Sequence, residues 1–181
     1  SNRGKDKYYS ASEVMEMTIN KIERAYTSKD GITGISTGIR KIDNVTNGLE
    51  KKEFVIFGAR PSMGKSALSL ALLENINANV LYIQLDMSLE GMGQRMLASD
   101  SFIENGRIGR GRINDKEWEV ILKSFNRISK KNNINFYTPP TITVNKIRLK
   151  AKEMQIKQGL DVIIIDHIGK IKPTTRGTRY E

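Results

Sequence analysis

An α/β fold built on a mostly parallel sheet, with helices on both faces, is the architecture this sequence predicts. Two observations carry that expectation. From residue 39 onward, short apolar runs alternate with stretches of helical periodicity, the pattern of strands joined by crossover helices. The runs at 53–59, 79–86 and 161–166 are also almost continuously apolar, as strands covered on both faces must be.

Each element has its own signal. "SASEVMEMTINKIERAY" (10–26) is an amphipathic helix: Ser10 and Glu13 form a capping box, and Met15, Ile19, Ile22 and Tyr26 recur at helical spacing. "TSKDGITGISTG" (27–38) is a loop rich in Gly, Ser and Thr, which detaches that helix from the remainder of the chain. Residues 1–29 are therefore set apart as a helix and loop, and 30–181 as the core. "IRKIDNVTN" is a short helix stopped by Gly48. "EFVIFGA" (53–59) is expected as the first buried strand, followed by the helix "KSALSLALLENI" (65–76) and the strand "NVLYIQLD" (79–86). "SLEGMGQRMLAS" (88–99) reads as helical despite two glycines. Asn114 and Glu117 cap a helix over 115–130, and "INFYT" (134–138) is a strand closed by Pro139 and Pro140. A helix from about Val144 to Gln158 places Val144, Ile147, Ala151 and Met154 on one face and stops at Gly159, before the strand "DVIIID" (161–166).

Composition narrows the function classes. No uninterrupted apolar span approaches ~20 residues, so no membrane helix is expected, and no apolar signal region follows the polar start "SNRGKDKYYS". There is no cysteine, which excludes disulfide and cysteine–metal frameworks and fits a cytoplasmic protein. Thirty Lys and Arg against twenty Asp and Glu give a net charge of +10, which favours polyanionic partners such as nucleotides or nucleic acid.

The chemistry centres on "GARPSMGKS" (58–66). It is one residue away from G-x-x-x-x-G-K-[ST], because Ala59 stands where the pattern asks for glycine. A phosphate loop works by surrounding phosphates with backbone N–H groups at a turn backed by a helix N-terminus. Here Ala59, Arg60, Pro61, Ser62, Met63 and Gly64 would form the turn, with Lys65, Ser66 and Ala67 opening the helix. Lys65 would reach the outer phosphates, and the Ser66 hydroxyl would hold Mg²⁺. The run "VIIID" (162–166) places Asp166 at the carboxyl end of a buried strand, the edge where open α/β sheets bind ligands. An acid there can hold magnesium through water.

These residues carry a resemblance. "ARPSMGKS" resembles the phosphate loop of the DnaB-like replicative helicases, a branch of the RecA-like ATPases in which the alanine start is ordinary. The likeness extends through "TGISTGIRKIDNVTNGLEKKEFVIFGARPSMGKSALSLALLENI", "IGRGRINDKEW" (108–118) and "DVIIIDHI". It implies a RecA-like ATPase core preceded by a linker helix. It also implies ATP and Mg²⁺ as cofactors, movement on single-stranded DNA, and a hexameric ring tied together through that helix. A primase and a helicase loader are the implied partners. In the family, the DNA-gripping loops and an arginine acting in trans come after the point where this sequence stops at "RGTRYE", and a primase-facing domain precedes it.

Two departures stand out. Where the family has "SLEM", whose glutamate activates the attacking water, this sequence has "QLDM", with Asp86 in that place. Asp86 is read as the catalytic base; the competing reading is a cap for the helix near Ser88. Gly169 replaces a glutamine that the family uses to sense the γ-phosphate. These departures keep open a non-hydrolysing regulator or decoy of a helicase ring; a RecA- or RadA-like recombinase is a second rival, which the alanine start opposes.

Other features take blander readings. His167 has no metal-ligand companions and is expected to pack. Arg107, Arg110 and Arg112 form a basic loop, read as solvated with DNA contact the alternative. Lys146, Arg148, Lys150 and Lys152 spread around their helix as a solvated face, and Trp118 is expected in the core.

Overall fold

The computed structural model describes residues 8–28, 31–60 and 62–173. They form two compact units, divided between Val55 and Ile56.

In the first unit, α1 (Ala11–Thr27) starts at the expected capping box. The Ser10 hydroxyl accepts from the Glu13 amide at 3.2 Å, and the Glu13 carboxylate accepts from the Ser10 amide at 2.8 Å. None of its residues is buried, so the stripe of Met15, Ile19, Ile22 and Tyr26 is exposed within this unit. The loop beyond it closes on an antiparallel bridge between Ile35 and Leu49. Gly34 has to be glycine for that closure, because a Cβ would lie 2.6 Å from the Leu49 carbonyl oxygen. α2 (Arg40–Thr46) ends in left-handed Asn47 and is anchored by buried Asp43. That carboxylate accepts the Thr37 amide at 2.8 Å, the Thr37 hydroxyl at 2.7 Å and the Ser36 hydroxyl at 2.7 Å.

In the second unit, α3 (Lys65–Asn75), β1 (Val80–Gln84), α4 (Leu89–Ser101), α5 (Asn105–Gly109) and α6 (Asp115–Ser129) lead to β2 (Ile134–Tyr137). β3 (Ile142–Thr143), α7 (Val144–Gln158), β4 (Val162–Asp166), a 3₁₀ turn (Ile168–Lys170) and β5 (Ile171–Lys172) complete it. The main sheet is parallel with order β2-β1-β4, and its register aligns Val80 with Ile134 and Val162, and Gln84 with Asp166. β3 and β5 make a second, two-stranded parallel pair. Side chains alternate across β1, which settles where the helices lie. Leu81 and Ile83 pack with Met154 and Ile147 of α7, whereas Tyr82 reaches Ser69 of α3 from the opposite face. Helices therefore cover both faces, as expected. No helix of the described residues is long and apolar enough to cross a membrane.

Four expectations are corrected. Residues 53–59 form no strand, and Phe54, Val55, Ile56 and Phe57 are exposed. Apolarity says that a segment gains from burial, but a strand also needs a neighbour for its backbone, and this one pairs with none among the described residues. Trp118 is 51% exposed, because the buried face of α6 runs through Ile121 and Ser124 instead. Val144 is also half exposed, since it is the first residue of α7 and precedes the face that Ile147 and Met154 bury. The basic loop contains α5, and Arg107 is bound at home: it makes a bidentate pair with Glu117 at 2.7 and 2.8 Å.

Burial pushes the Asp43 carboxyl up, but the Ser36 and Thr37 hydrogen bonds outweigh it and hold the pKa below the ordinary 3.8. A depressed folded pKa contributes stability that is present above the unfolded value and lost as pH falls through the folded one. Thr37 amide protection from hydrogen exchange should therefore be level above about pH 5 and decline below about pH 4. Asp43→Asn should lower that protection at neutral pH by about 1–3 kcal/mol. Equal protection in the two proteins would show that these bonds do not hold the loop.

Candidate nucleotide-binding site

The site begins where α3 begins. Gly64 caps the helix in a left-handed conformation (φ 89°, ψ 18°) with no side-chain cap. Open space surrounds the position where a Cβ would be, so it is the backbone angle and not crowding that calls for glycine. Uncapped first-turn N–H groups at the positive end of an 11-residue helix attract anions. Ser62 is also left-handed (φ 64°), which turns the loop sharply before the cap. Pro61 lies outside the described residues. Ala59, Arg60, Ser62 and Met63 lie in the exposed approach to the helix, and Ala67 in its first turn.

Lys65 and Asp166 are brought together. The Lys65 ammonium sits 3.2 Å from Asp166 Oδ1; the lysine side chain is 35% exposed and the aspartate 4%. Asp166 stands at the carboxyl end of β4, opposite Gln84, as the apolar-run-then-acid pattern indicated. Its other oxygen, Oδ2, faces Ser69 Oγ at 3.4 Å and Tyr82 Oη at 3.5 Å, and those two hydroxyls are 2.8 Å apart. A buried carboxylate that already faces a cation, beside a helix N-terminus, is suited to share a divalent ion with a bound phosphate. Ser66 lies one residue along from Lys65 in the same first turn.

Asp86 comes just after β1, on the same edge of the sheet. Its backbone N–H donates to the buried Gln84 side chain at 3.1 Å, as does that of Leu85 at 2.8 Å. Gln84 thus fixes the turn that carries the aspartate. The Asp86 carboxylate is exposed and pairs with Lys170 at 3.1 Å. The bond from Lys170, then its charge, holds the Asp86 carboxyl below the usual carboxylate range. Asp86 does not cap α4; the Ser88 hydroxyl does that, accepting from the Gly91 amide at 3.1 Å. Nothing in the sequence marks Lys170 for this role. It lies next to Gly169, in the 3₁₀ turn that brings the chain back past β4.

A glycine-capped helix with its lysine, aimed at a buried acid on the carboxyl edge of a parallel sheet, defines the class: a RecA-like ATPase domain. The model of the DnaB-like helicase C-terminal domain matches residues 34–181, and the chain belongs to that family. Among its relatives, the replicative DNA helicase DnaB of Buchnera aphidicola subsp. Baizongia pistaciae is 34% identical over 92% of this chain and 38% of its own length. That of Geobacillus stearothermophilus is 29% identical over 91% of this chain and 37% of its own length. This chain thus spans well under half the length of these relatives. Two solved structures share the fold at 26% identity and 96% coverage of this chain. One, an ATPase domain, superposes with a TM-score of 0.83 over 62% of its length. The other, a DnaB-like replicative helicase described with its interactions with primase, superposes with 0.84 over 42%.

Lys65→Ala should weaken binding of a fluorescent ATP analogue, with magnesium present, by at least about tenfold, since a hydrogen bond to a charged group contributes about 1.5–3 kcal/mol. Circular dichroism should show the fold retained. Unchanged affinity in a folded variant would remove this loop as the phosphate site.

Proposed function

We propose that this chain is the ATP-hydrolysing part of a DnaB-type replicative helicase, which uses ATP to move along single-stranded DNA and separate the duplex. The observation that supports this most is the meeting of Lys65 with Asp166 at the N-terminus of α3. In this reading residues 1–29 are the linker and 30–181 the ATPase core. The loop from Ala59 to Gly64 and the first turn of α3, Lys65 to Ala67, surround the phosphates, and Lys65 neutralises their charge. Ser66 and, through water, Asp166 would hold Mg²⁺, which would supply further charge neutralisation when bound. Asp86 orients the attacking water and takes its proton. Its carboxylate is shorter than a glutamate by one C–C bond, roughly 1.5 Å, and misplacement of ~1 Å can cost about a hundredfold in rate. The net charge of +10 suits a DNA track, and the absence of cysteine suits the cytoplasm. Primase and a loader are the proposed protein partners.

DNA-stimulated ATPase of the full-length protein tests this reading. Asp86→Asn should stop turnover and spare nucleotide binding, because a neutral amide cannot take a proton. Asp86→Glu should keep activity or raise it. Turnover in Asp86→Asn equal to wild type would sink the assignment of the base, and a wild-type protein without DNA-stimulated ATPase would favour the decoy.

Exposure of α1 supports assembly through that helix. Burying Met15, Ile19, Ile22 and Tyr26 against a neighbouring subunit is worth roughly 1.5–3 kcal/mol each before the entropic costs of association. Such a contact becomes firm when repeated around a closed ring. A ring also lets one subunit lend an arginine to the next, which contributes ~10³–10⁵ in rate in related phosphoryl transfer. Deleting residues 1–28 from the full-length protein should shift it from hexamer towards monomer in sedimentation velocity and lower its ATPase. A hexamer that survives the deletion would show that α1 packs on its own subunit.

A further inference from the structure

Tyr82 is an oddity inside a strand that is otherwise Val, Leu, Ile and Gln, and it is fully buried. Its hydroxyl must find a partner there, because an unpaired buried hydroxyl is destabilising. The partner is Ser69, which projects from α3 one turn after the lysine of the phosphate loop. The two oxygens are 2.8 Å apart. Ser69 is equally unusual, a serine in a helix interior whose hydroxyl donates back to the Ser66 carbonyl at 2.9 Å.

A hydroxyl pair that only satisfied itself could sit anywhere between a helix and a strand. This one abuts Oδ2 of Asp166, the buried carboxylate of the second unit's described residues. The opposite oxygen, Oδ1, faces Lys65. We propose that Tyr82 and Ser69 are positioning residues for Asp166, a bracket of two hydroxyls that restrains Oδ2 and keeps Oδ1 turned to the cation side. The inference rests on the reading of Asp166 as a magnesium-site residue. One of the pair's two protons links the hydroxyls to each other, so one hydroxyl at a time donates to Oδ2, in exchange for the bond from Ser69 to the Ser66 carbonyl.

Both contacts to the carboxylate are long, at 3.4 and 3.5 Å. The bracket therefore restrains Asp166 more than it clamps it, and the effect should lie at the small end of those seen for groups that orient metal ligands. Tyr82→Phe deletes the hydroxyl and keeps the ring, with its tilted contact to Phe136 at 5.9 Å between centroids. Ser69→Ala removes the other half of the bracket.

The test is a magnesium titration of fluorescent ATP analogue binding to the full-length protein, started in EDTA, with Mn²⁺ binding to the same complexes followed by electron paramagnetic resonance. Tyr82→Phe should raise the magnesium concentration at the midpoint about tenfold. Affinity for the analogue in EDTA should be unchanged. Ser69→Ala should act in the same direction, and the double variant should show less than the sum of the two, because the hydroxyls work as one unit. Mn²⁺ affinity should fall in parallel. A midpoint that stays in place in both folded variants overturns the inference, as does a loss of analogue affinity that is equal with and without metal. A wild-type protein with no magnesium response at all would remove the underlying reading of Asp166, and this inference with it.

Discussion

The pairing of Lys65 with Asp166 is the constraint on which the site's geometry depends. Asp166 is 4% exposed, and taking a carboxylate out of water costs several kcal/mol unless a cation and hydrogen bonds replace the lost solvation. α3 supplies the ammonium of Lys65 and, one turn on, the hydroxyl of Ser69, and β1 adds the hydroxyl of Tyr82. That ties the helix to the carboxyl end of β4 at one point, and it is why the N-terminus of α3 opens over the sheet edge. Register extends the constraint. Gln84 lies opposite Asp166, so the chain that leaves β1 must deliver Asp86 to the same edge.

Asp86 and Lys170 form a second lysine–carboxylate pair with a different character. Both side chains are more than half exposed, and exposed pairs are worth ~0–1 kcal/mol because water screens them. This pair can open readily, whereas the one at Asp166 is held by burial. The roles proposed for them, a base that meets a mobile water and a metal-site acid that stays in place, call for just that contrast.

Much of this was legible in the residues. The capping boxes at Ser10–Glu13 and Asn114–Glu117 mark helix starts because their chemistry is local, three residues apart. Lys65, Ser66 and Asp166 were legible for a similar reason: a glycine–lysine–serine turn and an apolar run ending in acid each declare a position in the fold. Long-range contacts were not. Ser69 meets Tyr82 across thirteen residues and Asp166 across ninety-seven, and only the presence of a phenol in an apolar strand hinted at it. Arg107 reads as a free basic residue in the sequence, whereas the fold sets Glu117 beside it. The parallel pair at 142–143 and 171–172 is too short to leave a period, and the exposed segment 53–59 shows that an apolar run specifies a preference for burial without specifying a partner.

Under the proposed function, the Lys65–Asp166 pair would make nucleotide and cation bind together. Lys65 cannot serve a phosphate and Asp166 equally at one time, and a phosphate that draws it away leaves a buried carboxylate unpaired. Breaking a buried pair by removing one partner costs about 3–5 kcal/mol, more than a single charge-assisted hydrogen bond to phosphate returns. A divalent cation at the same carboxylate removes that penalty. The proposed coupling would thus be set by burial, and it would weaken if Asp166 were exposed as Asp86 is. Within the site, the degree to which water reaches each carboxylate separates the aspartate suited to hold a cation from the one suited to give way.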